Sequence, residues 1–149
     1  MSKVIGFNNA VFWTDHTEIL YCEFNNSVPN LKLEQKVIES YIEAIANLCN
    51  EKPMPFLIDL KETRGTYTIS IAKLIAKNQE LEKLKITESY VINSAASRLL
   101  IGFYRKMYND VTPIGLFKDY TLAKDYCLNA KQTYYKKHIE TCKQTSLYY

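Results

Sequence analysis

MPFLIDLKETRG, Met54 to Gly65, passes from an apolar block straight into a charged loop. Met54 to Leu60 is too short for a typical helix and too continuously apolar for a strand with one wet face. It therefore reads as a central parallel strand covered on both sides. Such a strand should not close on a carboxylate unless its end reaches polar surroundings. In an open parallel sheet the carboxyl ends of strands sit beside helix N-termini, where loops converge and backbone amides favour acceptors. Asp59 marks that rim. Its carboxylate either fixes the loop through local amides, pairs with Arg64, or meets a ligand or partner directly.

Upstream, AVFWTDHTEILYCEF predicts a hairpin of Ala10 to Trp13 and Glu18 to Phe24, since short aromatic and β-branched runs flank the polar turn Thr14 to Thr17. Leu20, Cys22 and Phe24 alternate with Ile19 and Tyr21, which suits a strand with one well-buried face. NNSVPN breaks the pattern, and from Leu33 the spacing of Val37, Tyr41, Ile45 and Leu48 turns helical until NEKP.

Downstream, Ile71, Leu74, Ile75, Asn78 and Leu81 predict a second helix with Thr68 or Ser70 as its N-cap. ESYVINS, from Glu88, reads as the next strand. Ala96, Leu99, Leu100, Phe103 and Met107 then supply what reads as the core stripe of a third helix. NDVTP punctuates, PIGLF is a last short strand, and Asp119 or Thr121 can cap a fourth helix carrying Leu122, Ala123, Tyr126, Cys127 and Ala130. The order ββαβαβαβα requires parallel pairing after the hairpin, through right-handed crossovers. It describes one α/β domain over residues 1–149, with 129–149 a basic, Tyr-rich helical extension.

With 149 residues, 47% hydrophobic and 23% charged, the composition is globular. No window approaches the roughly 18 unbroken apolar residues of a membrane span. The first residues lack a secretory pattern, so a cytoplasmic location without membrane association is expected. Cys22, Cys49, Cys127 and Cys142 stand far apart and away from His16 and His138, so neither zinc nor a disulfide framework is expected. The net charge of +3 equals the sum over Asn129 to Tyr149, which leaves residues 1–128 neutral. That tail, with Tyr134 and His138 at i, i+4, suits helix extension or self-association; an acidic protein partner comes next and nucleic acid last.

PFLIDLKETRG, SYVINSAASRLLIGFY and PIGLFKDYTLAKDYCL together resemble the SpoIIAA-like, or STAS-like, bacterial proteins over roughly residues 8–128. The marks are a strand ending in Asp, a small-polar turn entering the next helix, and Phe117, Asp119 and Ala123 in an F-x-D turn with an early helical Ala. In the anti-sigma factor antagonists of that family, the Asp leads into a Ser or Thr turn whose phosphorylation controls binding to a kinase partner. Asp59 matches the Asp. LKETRGTYTIS lacks the compact DSSG-type turn, so Thr63, Thr66, Thr68 and Ser70 are only the nearest hydroxyls, and the chain looks more like a divergent branch than a sigma regulator.

The expected rim gathers Asp59, Thr63, Arg64, Thr66, Ser70, Asn93, Ser94, Ser97 and Arg98. Arg64 and Arg98 suggest a bidentate clamp for phosphate or carboxylate, or simply solvated surface charge. No nucleotide motif, catalytic triad or cofactor fingerprint occurs. The expectation is a non-enzymatic regulatory domain that binds a protein partner, such as a signalling kinase, through loop 59–70, with a homodimer as a further option. The alternative is a binder of a small lipid-like or anionic molecule in a pocket lined by the many aromatic residues.

Overall fold

The structure, a computed structural model, describes residues 2–107 and 112–147, with side chains to position 139. Asn109 to Val111 of the predicted turn and the side chain of Cys142 lie outside the described residues. The hairpin is there as β2 (Ala10–Thr14) and β3 (Leu20–Asn25), paired antiparallel. A strand not anticipated from sequence, β1 (Lys3–Gly6), adds to its outer edge. It escaped notice because it is largely exposed and carries no alternation worth reading.

Next come α1 (Gln35–Cys49), β4 (Met54–Glu62), α2 (Thr66–Lys77), a single helical turn α3 (Gln79–Glu82), β5 (Lys85–Val91), α4 (Ala95–Met107), β6 (Ile114–Phe117) and α5 (Tyr120–Leu147). The expected order thus lacked one strand and one short helix. Asn78 separates α2 from α3 with extended backbone, and its Oδ1 caps the new turn at the Leu81 amide, 3.1 Å away. The sheet is mixed, six-stranded and ordered β1-β2-β3-β4-β5-β6, with β3 to β6 parallel. Five helices flank it.

Period-two alternation decides the two faces. Leu20, Cys22 and Phe24 of β3, with Phe56, Ile58 and Leu60 of β4, join Tyr41, Ala44 and Ile45 of α1, Tyr67, Ile71 and Ile75 of α2 and Ile101 of α4 in the larger core. Tyr21 and Leu57 point the other way, to Ala123 and Cys127 of α5. β4 is therefore covered on both faces, as its apolar run required. Asp119 Oδ1 accepts from the Thr121 amide at 2.7 Å and starts α5. Further along, Lys131 donates to the Thr17 carbonyl at 2.6 Å and the Tyr135 hydroxyl to the Pro53 carbonyl at 3.1 Å. The basic segment is thus a continuation of α5, anchored to the sheet's lower loops as far as Tyr135.

Two local expectations fail. Neither Thr68 nor Ser70 caps α2: the helix begins at Thr66 after Gly65, Thr68 is buried inside it, and the Ser70 hydroxyl returns to the Thr66 carbonyl at 2.9 Å. The stripe Leu99, Leu100, Phe103 and Met107 does not face the core. These side chains are exposed, while Ile101 and Arg105 turn inward. Arg105 goes in because a buried carboxylate waits for it: its Nη2 lies 2.8 Å from Glu88 Oε2 of β5. A helix with apolar residues on one side and a paired arginine on the other can be read either way round from spacing alone.

Candidate functional site

Parallel pairing of β3, β4, β5 and β6 puts Asn25, Glu62, Val91 and Phe117 at one edge. That edge carries a shallow polar cleft of about 340 Å³, lined by Asn26, Ser27, Lys61, Glu62, Thr63, Arg64 and Asn93. Four of these, Asn26, Ser27, Lys61 and Glu62, were not singled out from sequence. The missed signal was topological: β3 runs parallel to β4, so the NNSVPN segment that leaves it must emerge on the same edge.

The loop after β4 is held by its own bonds. Thr63, buried, donates its hydroxyl to the Leu60 carbonyl at 2.7 Å and contacts the Thr68 hydroxyl at 2.7 Å. The Arg64 amide donates to Asn26 Oδ1 at 2.8 Å, and the Asn26 amide donates to the Glu62 carbonyl at 3.0 Å. Asn26 Nδ2 in turn donates to the Val28 carbonyl. One asparagine thereby fastens the β3 exit to the β4 exit. The Asn93 side chain closes the far wall by donating to the Lys61 carbonyl at 2.7 Å. Ser94 caps α4, its Oγ accepting from the Ser97 amide at 3.1 Å and donating to the Ser97 hydroxyl at 3.0 Å.

Gly65 is where this loop depends on having no side chain. Its φ of +59° with ψ of −135° is a backbone region that L-residues avoid, and a Cβ would meet the Pro29 carbonyl oxygen at 2.6 Å. Gly65→Ala is expected to cost about 1–3 kcal/mol from the dihedral alone. A thermal melt should fall by roughly 5–10 °C, and the Arg64 amide should lose protection from hydrogen exchange as the loop lifts from Pro29.

The nine rim residues separate by face. Arg64 and Arg98 are exposed, Asn93 is exposed, and Ser94 and Ser97 are half-buried at the start of α4. Thr66 is exposed, Ser70 is half-buried, and Thr63 is closed to solvent. Asp59 turns to the opposite face of the sheet, where its Oδ1 accepts from the Lys61 amide at 3.0 Å. It makes no pair with Arg64, which stands on the other side of the strand. Its neighbour there is the Tyr120 hydroxyl, pushed up to about 12, first by burial and then by the charges of Tyr21, Asp59 and Glu23. The rim thus contains a polar cleft in which Lys61 and Arg64 stand beside Glu62 and Asn93, and a carboxylate–phenol corner of Asp59 and Tyr120 on the α5 side.

Beneath α4 lies a second polar group that sequence reading did not isolate. Lys85, Glu88 and Tyr90 of β5 are wholly buried. Glu88 Oε2 is 3.4 Å from Lys85 Nζ and 2.8 Å from Arg105 Nη2, and its Oε1 accepts from the Tyr90 hydroxyl at 2.7 Å. Lys85 also donates to the Ile75 carbonyl at 2.8 Å and Arg105 to the Thr112 carbonyl at 2.9 Å. The cluster ties α2, α4 and the approach to β6 onto β5. The letters KITESY carried its signal: a strand with Lys and Glu three apart inside a sheet centre must compensate those charges internally.

The model of a family described as a domain of unknown function, DUF7793, matches residues 12–131, which run from β2 into α5. The chain belongs to this family. The match takes in every element of the DUF7793 domain's rim and both helical layers, and leaves out β1 and the end of α5. No curated protein and no solved structure matches the chain. Among the described residues of this DUF7793 domain no helix is long and apolar enough to cross a membrane.

Proposed function

We propose that this chain is a regulatory protein-interaction domain, which meets a protein partner through the loop 59–70 and the first turn of α4. The observation that carries this reading is the contrast inside the loop. The backbone of 62–64 is held by bonds to Asn26 and Leu60, while Arg64 itself is exposed at the cleft. A preordered loop that presents a guanidinium loses little freedom on binding, which favours specific recognition of a carboxylate or phosphate on the partner. Asn93 and Arg98 extend the same surface. The resemblance of the strand-end Asp and the F-x-D turn to SpoIIAA-like antagonists supports the regulatory reading.

Arg64→Glu in the full chain is expected to weaken binding to the purified native partner by more than about tenfold, with an unchanged thermal midpoint because the side chain is exposed. Equal affinity for native protein, Arg64→Glu and Arg98→Glu would sink the reading.

A second reading rests on a separate cleft of about 670 Å³, where Leu33, Ile38 and Leu74 form an apolar floor beside Lys73 and Lys77. An apolar floor with two lysines facing the single carboxylate of Glu80 at the rim suits a small amphipathic anion. Native mass spectrometry of gently purified protein would then find a bound small molecule, lost on Leu74→Glu. A clean apo mass together with no stabilising anion in a thermal screen would discard it.

A further inference from the structure

The outward face of α4 is the most unusual surface of the molecule. Leu99 is 76% exposed, Phe103 59%, Met107 56% and Leu100 40%, all on one side of a helix whose other side is seated by Ile101 and Arg105. A leucine three-quarters exposed stands on a crest, not in a groove. Contiguous apolar surface of this kind marks a site of association.

Charge says with what. Residues 63–79 and 89–109 contain six Lys or Arg and no Asp or Glu, so α2 and α4, which pack side by side, are purely cationic. Lys73 lies over the Tyr104 ring at 4.6 Å and so borders α4 on the α2 side, while the exposed Lys77 lines the neighbouring cleft together with Glu80. Arg98 and Lys106 are exposed on α4 itself, and neither has a carboxylate partner among the described residues. Arg105 is set apart, since it turns into the core and pairs there with Glu88. Helix α1, with Glu39 and Glu43 against Lys36, and with Glu34 just before it, lies against β2 and β3. A second copy docking through the same crest would bring these cations against their own images, which opposes self-association there. A convex apolar ridge bordered by Lys and Arg matches an anionic lipid surface: the leucines, Phe103 and Met107 enter the acyl boundary while the cations stay at the headgroups.

We infer that the α4 crest is a peripheral docking surface for anionic membranes, by adsorption and not by spanning. The inference shares Arg98 with the rim reading but rests on the apolar crest of Leu99, Leu100, Phe103 and Met107, which that reading does not use. In cosedimentation of the full chain with vesicles, binding to phosphatidylcholine containing about one third phosphatidylglycerol should exceed binding to pure phosphatidylcholine by about tenfold or more at low salt. It should weaken as salt rises from about 50 to about 500 mM. Leu99→Glu with Phe103→Glu should abolish it without lowering the thermal midpoint, because both side chains are solvent-exposed in the fold. Lys73→Gln with Lys106→Gln, which removes one charge at each position, should weaken it by about fivefold for each cation lost, while leaving the apolar crest intact. Failure to bind anionic vesicles, equal binding to neutral ones, or unaltered binding by the Leu99/Phe103 variant would overturn it. So would a dimer in sedimentation that the same variant splits, since the crest would then belong to self-association.

Discussion

Glu88→Ala is expected to remove about 3–5 kcal/mol of folding stability, a large share of the roughly 5–15 kcal/mol that holds an ordinary domain folded. The substitution takes a wholly buried carboxylate away from Lys85 and Arg105, both closed to solvent. Two desolvated cations then face each other across the space it held, and the Tyr90 hydroxyl loses its acceptor at 2.7 Å. Desolvation of the charges, not the missing attraction, dominates the cost. Urea unfolding checks it, and the mechanism has its own control. Replacing the group together, as Lys85→Met, Glu88→Leu, Tyr90→Phe and Arg105→Leu, leaves nothing to desolvate and should recover most of the lost stability. A Glu88→Ala protein within about 1 kcal/mol of native would show that water reaches the cluster.

Mild alkali is expected to have an effect of the same size. Burial pushes the thiols of Cys49 and Cys127 up to about 12 from an ordinary 9.0, and burial together with these two neighbouring thiols also raises Cys22 well above it. Tyr67 is raised first by burial, then by Tyr41, and Tyr90 first by burial, then by Glu88. For groups raised in the fold, stability is full below the unfolded value and is lost as pH climbs toward the folded one. In the window from about pH 9 to 12 the unfolded chain releases protons that the folded chain retains, and each such group removes about 1.4 kcal/mol per pH unit. Three thiols acting together give on the order of 4 kcal/mol per unit, before the tyrosines join above about pH 10. Denaturant midpoints measured under reducing conditions at steps from pH 8 to 10.5 should fall steeply beyond 9. A flat profile would mean that the thiols ionise in place, and hence that the strand and helix faces around Cys22 and Cys127 are wet.

Much of the architecture was legible in the chain itself. Met54 to Leu60 could only be a strand with two covered faces, whereas the alternation of Leu20, Cys22 and Phe24 against Ile19 and Tyr21 suggested one well-buried face, and the fold buries both, the second under α5. Parallel pairing followed from the helices between the strands, and with it the gathering of Asp59, Asn93 and Asp119 onto one edge. The rim was less legible. Asp59 and Arg64 are five positions apart, but the pleat and the loop send them to opposite faces, so proximity in sequence suggested a pair that the fold separates. Asn26, which fastens that loop, lies 38 positions from Arg64 and is brought there by the pairing of β3 with β4.

What the residues determined unaided was periodicity: which segments are strands or helices, and how buried faces alternate along them. What only the assembled structure decided was which side of α4 faces inward. Helical spacing offers Leu99, Phe103 and Met107 as a core stripe, because transfer of apolar side chains from water favours burying them. That preference lost to a stronger local requirement. Glu88 sits inside the sheet's centre, a buried carboxylate needs cations, and Arg105 reaches it only if the helix turns its leucines to the outside.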